Sequence, residues 1–271
     1  MRTIIVATDF SDIAENAVEY AAAGASIIKA KIILFNSFKL PLHASNTILS
    51  VENVQHLVDK SIAALKKRAS ELQQKYAIEV HTESSLLNVE DEIERLITHH
   101  DAEMVVMGMA QRSLEQDLLG NTTTNVIQKL KFPVLAVPLG VSFNGIKRIL
   151  YACDVVRGIQ KQILDRIKDT AGLWNAEVEV FNVQEKIADL QDAEMHPSHL
   201  LEGQMENIQY FYKNVESNAI IKEIKSEIES YRPDLLVMVP NRYGFWASIV
   251  HRSKTRMMAA GLDIPLLSIP L

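Results

Sequence analysis

The chain repeats itself, and the repeat limits what it can fold into. A short apolar run ending in Ala-x-Asp stands near the start, TIIVATDFSD from Thr3, and again past the midpoint, RILYACDVVR from Arg148. Three more segments match in the same order. KIILFN at 31–36 pairs with VEVFNV at 178–183, AEMVVMG from Ala102 with PDLLVMV from Pro233, and FPVLAVP at 132–138 with IPLLSIP at 264–270. Four matches in one order point to a tandem duplication with its seam in the glycine-bearing stretch 140–145. The expected domains are therefore residues 1–140 and 145–271.

Within each half, strand and helix patterns alternate. In the first, strands are expected over 4–8, 31–37, 77–84, 104–107 and 134–137. Helices are expected over 11–29, 51–76, 89–99 and 122–130, with Ser11 or Asp12 as the first N-cap and Asn88 as a later one. The second half follows the same plan, with a helix 2 region over 186–207 broken by His196-Pro197, a strand within 207–217, and a helix over 218–231 that ends before Arg232-Pro233. Short all-apolar strands such as IIVA and MVVM suit a parallel sheet covered on both sides. The expected fold class is α/β: two tandem doubly wound domains, each with a five-stranded, mostly parallel sheet and helices on both faces.

Composition narrows the partners. The chain has 271 residues, 48% of them hydrophobic and 23% charged, with a net charge of −6. An acidic balance argues against a nucleic-acid or anionic-membrane surface. Cys153 is the single cysteine, so no intrachain disulfide forms, and its expected role is that of a small buried hydrophobe. No secretory leader or bilayer-length apolar run stands in the sequence, so a cytoplasmic location is the expectation.

In open α/β sheets, ligands bind outside the carboxyl ends of the strands, where strand order reverses. If strand 1 lies there, it offers Ala7, Thr8 and Asp9, and Asp9 can either accept hydrogen bonds from a ribose or base or simply cap the following helix. Strand 4 ends at Met107-Gly108, where a missing side chain would admit a phosphate or merely a turn. Gly120-Asn121-Thr122-Thr123 then opens a helix whose free N–H groups and positive dipole end make an anion site, though the same residues also serve as ordinary N-caps.

These stretches, TIIVATDFS, MGMAQRSLEQDLLGNTTTNVIQK and PVLAVP, resemble the universal stress protein family in its tandem two-domain form. In nucleotide-binding members the loop after strand 4 reads Gly-x2-Gly-x9-Gly-Ser/Thr. The resemblance implies that Asp9 contacts the adenine or ribose side, and that Gly108, Gly120, Asn121 (at the Ser/Thr position), Thr122 and Thr123 surround the phosphates. Ala7, Thr8 and Ser37 fall where backbone contacts to the base are expected, beside Met107. The implied cofactor is ATP or a related adenine nucleotide with magnesium. The implied role is in stress response, by binding and protein interaction rather than turnover. The closing strands of the two halves are expected to pair as an intrachain pseudo-dimer, with a homodimer of whole chains as a further level. The protein partner is not named by the sequence.

Two departures bear on that role. Gln111 stands at the second glycine of the pattern, where it restricts φ and adds a side chain to the phosphate path, and the spacer to Gly120 is one residue short. Arg112 is a nearby cation. In the second half, VPNRYGFWASIVHRSKTRMM from Val239 has Val239 and Arg252 in place of glycines, with Ser253 and Thr255 as the remaining hydroxyls. That segment could cover a pocket, bind an anion through Arg242, Arg252 and Lys254, or pack Phe245 and Trp246 on a neighbour.

Catalytic motifs are missing: the sequence has no Gly-x-Ser-x-Gly elbow, Walker A loop or Rossmann glycine triplet. His99 and His100 are adjacent, so they do not share a helix face and are expected to end a helix rather than bind a metal. His196 and His199 lack supporting ligands, and Glu90, Asp91, Glu92 and Glu94 read as the first turn and exposed side of a helix. No metal site is expected. Three readings stand: adenine-nucleotide binding in the first half, a nucleotide-free interaction scaffold, and a slow ATP-hydrolysing enzyme.

Overall fold

The computed structural model describes residues 1–38, 51–109, 122–153, 160–184, 205, 207–217, 219–239 and 263–270. The chain divides into two compact units, Met1–Phe143 and Asn144–Leu271.

The first unit runs β1 (Thr3–Ala7), α1 (Asp12–Ile28), β2 (Lys31–Ser37), α2 (Val51–Tyr76), β3 (Val80–Ser85), α3 (Val89–His100), β4 (Met104–Met109), α4 (Thr122–Lys129) and β5 (Val134–Pro138). Its strands lie in the order β3-β2-β1-β4-β5, every neighbouring pair parallel. Successive residues Ile32, Ile33, Leu34 and Phe35 of β2 are all buried, as are Ile4, Ile5 and Val6 of β1. Burial on both faces of a strand requires cover on both sides, and α1 packs with α2 while α3 packs with α4. Phe143 closes the unit by setting its ring edge-on to Tyr20 of α1, with centroids 5.1 Å apart.

The second unit runs β6 (Arg148–Cys153), α5 (Lys161–Trp174), β7 (Glu177–Gln184), β8 (Tyr210–Glu216), α6 (Ile220–Tyr231), β9 (Leu235–Met238) and β10 (Leu266–Ser268). The order β8-β7-β6-β9-β10 is the first unit's order element for element, again all parallel. The expected helix over 186–207 falls almost wholly outside the described residues. Cys153 is half-buried rather than buried, with its thiol 3.8 Å from the Phe181 carbonyl.

Local sequence accounts for the element ends. Ser11 caps α1, its hydroxyl accepting from the Ala14 N–H at 3.3 Å. Asn88 occupies the N-cap position of α3 but makes no side-chain cap bond. Helices α1, α3, α5 and α6 end on residues in the left-handed conformation, Lys29, Asp101, Asn175 and Arg232, and none of these is glycine. Each of those N–H groups reaches back to a carbonyl of the last turn. Glu92 departs from the expected exposed acidic face: it is buried, and Arg95 neutralises it at 2.6 Å one turn later. No described helix is long and apolar enough to cross a membrane.

Candidate functional site

Strand order reverses between β1 and β4 in the first unit, because β2 and β3 lie on one side of β1 and β4 and β5 on the other. The carboxyl ends of β1 and β4 therefore flank the crevice where a doubly wound sheet receives ligands. Ala7, Thr8 and Asp9 stand on one lip, Met107 and Gly108 on the other, and α4 begins beside them with Thr122 and Thr123.

The β1 lip is held by its own hydrogen bonds. Thr8 is buried; its N–H donates to the Phe35 carbonyl at 2.8 Å, and its carbonyl accepts from Asn36 Nδ2 at 2.7 Å. The Thr8 hydroxyl donates to Glu15 Oε1 at 2.7 Å and accepts from the Phe10 N–H at 3.0 Å. That last bond supports a left-handed turn at Phe10, φ 63°. Asp9 is exposed, and its Oδ1 accepts from the Ser11 N–H at 3.0 Å and the Ser11 hydroxyl at 2.6 Å. Asp9 thus shapes the approach to α1 while presenting a carboxylate to solvent at the crevice.

Behind this lip runs a chain of charges. Arg68 of α2 donates to Glu15 and to Glu19, both at 2.6 Å, and Lys75 and Tyr76 reach Glu19 at 2.6 and 2.5 Å. Burial alone would raise the Glu19 carboxyl, but the hydrogen bonds from Lys75, Tyr76 and Arg68 outweigh it and bring it down to about 2. Asn36, also buried, is tied to α2 as well: its Oδ1 accepts from the Ser61 hydroxyl at 2.9 Å.

Gly108 has a packing role that sequence reading missed. A Cβ at that position would come within 2.6 Å of the Ile13 carbonyl oxygen and 2.8 Å of its carbon, so only glycine lets the first turn of α1 lie against β4. Thr123 is buried, and its hydroxyl donates to the Gly108 carbonyl at 2.7 Å, fastening the start of α4 to the strand end. Ser37 spends its hydroxyl on the Leu87 carbonyl at 2.7 Å, which ties the end of β2 to the β3–α3 turn. Thr122 is half-buried at the helix start. Gly120, Asn121, Gln111 and Arg112 lie outside the described residues, as do Arg242, Phe245, Trp246, Arg252, Ser253, Lys254 and Thr255 in the second half, and His196 and His199.

Two further polar clusters were not legible in advance. In the second unit, Glu179 of β7 and Glu227 of α6 are both buried, and Lys213 of β8 pairs with Glu227. Burial, and then the neighbouring Glu227 carboxylate, push the Glu179 carboxyl up to about 7. In the first unit, Glu83, His99 and His100 come together, against the expectation that adjacent histidines at a helix end cannot join as ligands.

The universal stress protein family model matches residues 1–138. Among solved structures, a universal stress protein from Archaeoglobus fulgidus superposes over 99% of this chain and 96% of its own, with a TM-score of 0.74 and 15% identity. A universal stress protein described as such putatively, from Pseudomonas aeruginosa UCBPP-PA14, covers 100% and 93% at a TM-score of 0.65 and 15% identity. A functionally unknown protein from Pseudomonas aeruginosa PAO1 covers 100% and 92% at 0.64 and 15%. Identities at this level show shared fold. No curated protein sequence matches the chain. With the family model covering 138 of 271 residues, the first unit and its strand order identify the lineage: the chain belongs to the universal stress protein family.

Proposed function

We propose that this stress protein binds an adenine nucleotide, ATP or a close relative with magnesium, in the first-unit crevice. In this reading occupancy, rather than turnover, changes what the protein offers to a protein partner in the cytoplasm. The observation that carries it is the strand-order reversal between β1 and β4, which brings Asp9, the Cβ-free strand end at Gly108 and the start of α4 around one crevice. The described residues fit such a ligand. Asp9 offers an acceptor carboxylate for a ribose or amine, and the start of α4 offers the positive end of a helix to phosphate. Gly120, Asn121 and Thr122 would complete the phosphate side.

Denaturing mass spectrometry of freshly purified protein, followed by calorimetric titration with ATP, ADP and AMP in magnesium, tests the reading. Co-purified nucleotide, or saturable binding removed by Gly120→Arg, supports it; absence of both overturns it. A second reading, a nucleotide-free interaction scaffold, draws on the same contacts. Gly108 and Thr123 each have a structural use that needs no ligand. Partner capture that proceeds equally with and without nucleotide would favour the scaffold.

A further inference from the structure

We propose that Glu83, His99 and His100 form a binding site for a divalent transition metal ion of the zinc class, at the outer edge of the first unit's sheet. β3 is the edge strand there, and α3 ends beside it. The chain leaves the helix through Asp101 in the left-handed conformation, so His99 and His100 occupy the last turn. Their rings stand edge to face with centroids 4.6 Å apart. Glu83 reaches them from β3, and His100 Nε2 lies 2.8 Å from Glu83 Oε1. One ligating atom from each of the three residues lies within 4.8 Å of the other two.

Zinc takes imidazole nitrogen and carboxylate oxygen at about 2.0–2.2 Å, so tetrahedral ligand atoms stand roughly 3.4 Å apart. Exposed His99 and half-buried Glu83 need to close by about an ångström, a motion within side-chain torsions. Two imidazoles and one carboxylate select a borderline metal over magnesium or calcium, which take oxygen ligands. Orphan carbonyls at a helix C-terminus add a negative field that favours a cation. Besides the His100 contact, which an ion between the two groups would replace, Glu83 has only a long ion pair with Arg95, 3.8 Å, and Arg95 is engaged by Glu92 at 2.6 Å. A cavity of about 370 Å³, lined by Glu83, His100, His81 and Lys66 among others, opens beside the cluster. It leaves room for water or a small anion as the fourth ligand. A bound ion would pin the end of α3 to the edge strand.

The test is calorimetric titration of the chelator-stripped, full-length chain with zinc chloride. One ion per chain is expected, with no heat from magnesium. His99→Gln and Glu83→Gln should each weaken binding at least tenfold; His99 is exposed, so the fold does not depend on it. Cobalt should give the visible bands of a four-coordinate ion, lost in His99→Gln. At a hundredfold excess over Kd, zinc should raise the first unit's melting temperature by about 5–10 °C. A double His196→Gln/His199→Gln variant should bind zinc and cobalt as the natural chain does. No saturable zinc binding, full affinity in His99→Gln and Glu83→Gln, or loss of binding in the His196/His199 variant would each overturn the proposal.

Discussion

Gly108→Ala isolates the packing role of a residue that a motif reading assigns to phosphate. The added Cβ would stand 2.6 Å from the Ile13 carbonyl oxygen and 2.8 Å from both its carbonyl carbon and Cγ2. Relaxed carbon contacts need about 3.5 Å or more, so the start of α1 or the end of β4 must move by nearly an ångström. The obstacle is backbone, and truncating Ile13 does not remove it. Overpacking of this kind costs about 1–3 kcal/mol, offset by about 0.4–1 kcal/mol because alanine narrows the unfolded chain. A net loss of about 1–2 kcal/mol in a unit of 143 residues corresponds to a melting temperature lower by roughly 3–7 °C. Both tryptophans, Trp174 and Trp246, lie in the second unit, so their fluorescence follows that unit while calorimetry follows both. Gly108→Ala should move a calorimetric transition and leave the tryptophan transition in place. A shift below 1 °C would refute the packing argument. The same reasoning makes Gly108 a poor probe of nucleotide binding, because its loss would disturb the crevice whether or not a phosphate lies there.

Glu179 holds its proton more tightly folded than unfolded, so its contribution is present below about pH 4.5 and lost as pH rises through about 7. Glu179→Gln should therefore stabilise the second unit at pH 8 more than at pH 5 and flatten the pH dependence of its urea midpoint over that range; an unchanged slope assigns the dependence elsewhere. Glu19 behaves oppositely. Its depressed carboxyl stabilises above the unfolded value of 4.5 and loses that contribution as pH falls toward 2, so Arg68→Met should shrink the acid sensitivity of the first unit, read by acid titration of far-ultraviolet dichroism. Lys29→Gly should raise the first unit's stability by about 0.5–1 kcal/mol, because the left-handed cap at φ 54° strains any side chain; a loss in urea melts would show that the lysine contributes more than the strain.

Local pattern carried most of the fold. The expected bounds of β2 and α2, 31–37 and 51–76, are those observed, because apolar runs and helical spacing need no distant partner. β3 starts three residues later than expected, because Ala77 takes a left-handed conformation to leave α2. β4 runs two residues past its apolar core because Gly108 and Met109 pair with Val137 and Pro138 of β5, which no local pattern announces. The burial of Glu92 was readable: it lies one residue before Ile93 and four before Leu96, on the inward stripe. The Glu83–His99–His100 cluster was not, since it joins a helix end to a strand sixteen residues upstream. On the β1 lip, residue types pointed to Asp9 but not to the bonds that hold Thr8, which depend on Phe35, Asn36 and Glu15.

Those bonds at Thr8 continue through Glu15 and Arg68 to Glu19 and Lys75, so the crevice wall is bonded to the C-terminal part of α2. Arg68 sits at the partly buried centre of that chain, where salt screens its pairs with Glu15 and Glu19 less than pairs at the surface. Distance along α2 is therefore a poor measure of distance from the site. An alteration at Arg68, some sixty residues from Asp9 in sequence, reaches the Thr8 lip of the crevice through two hydrogen bonds.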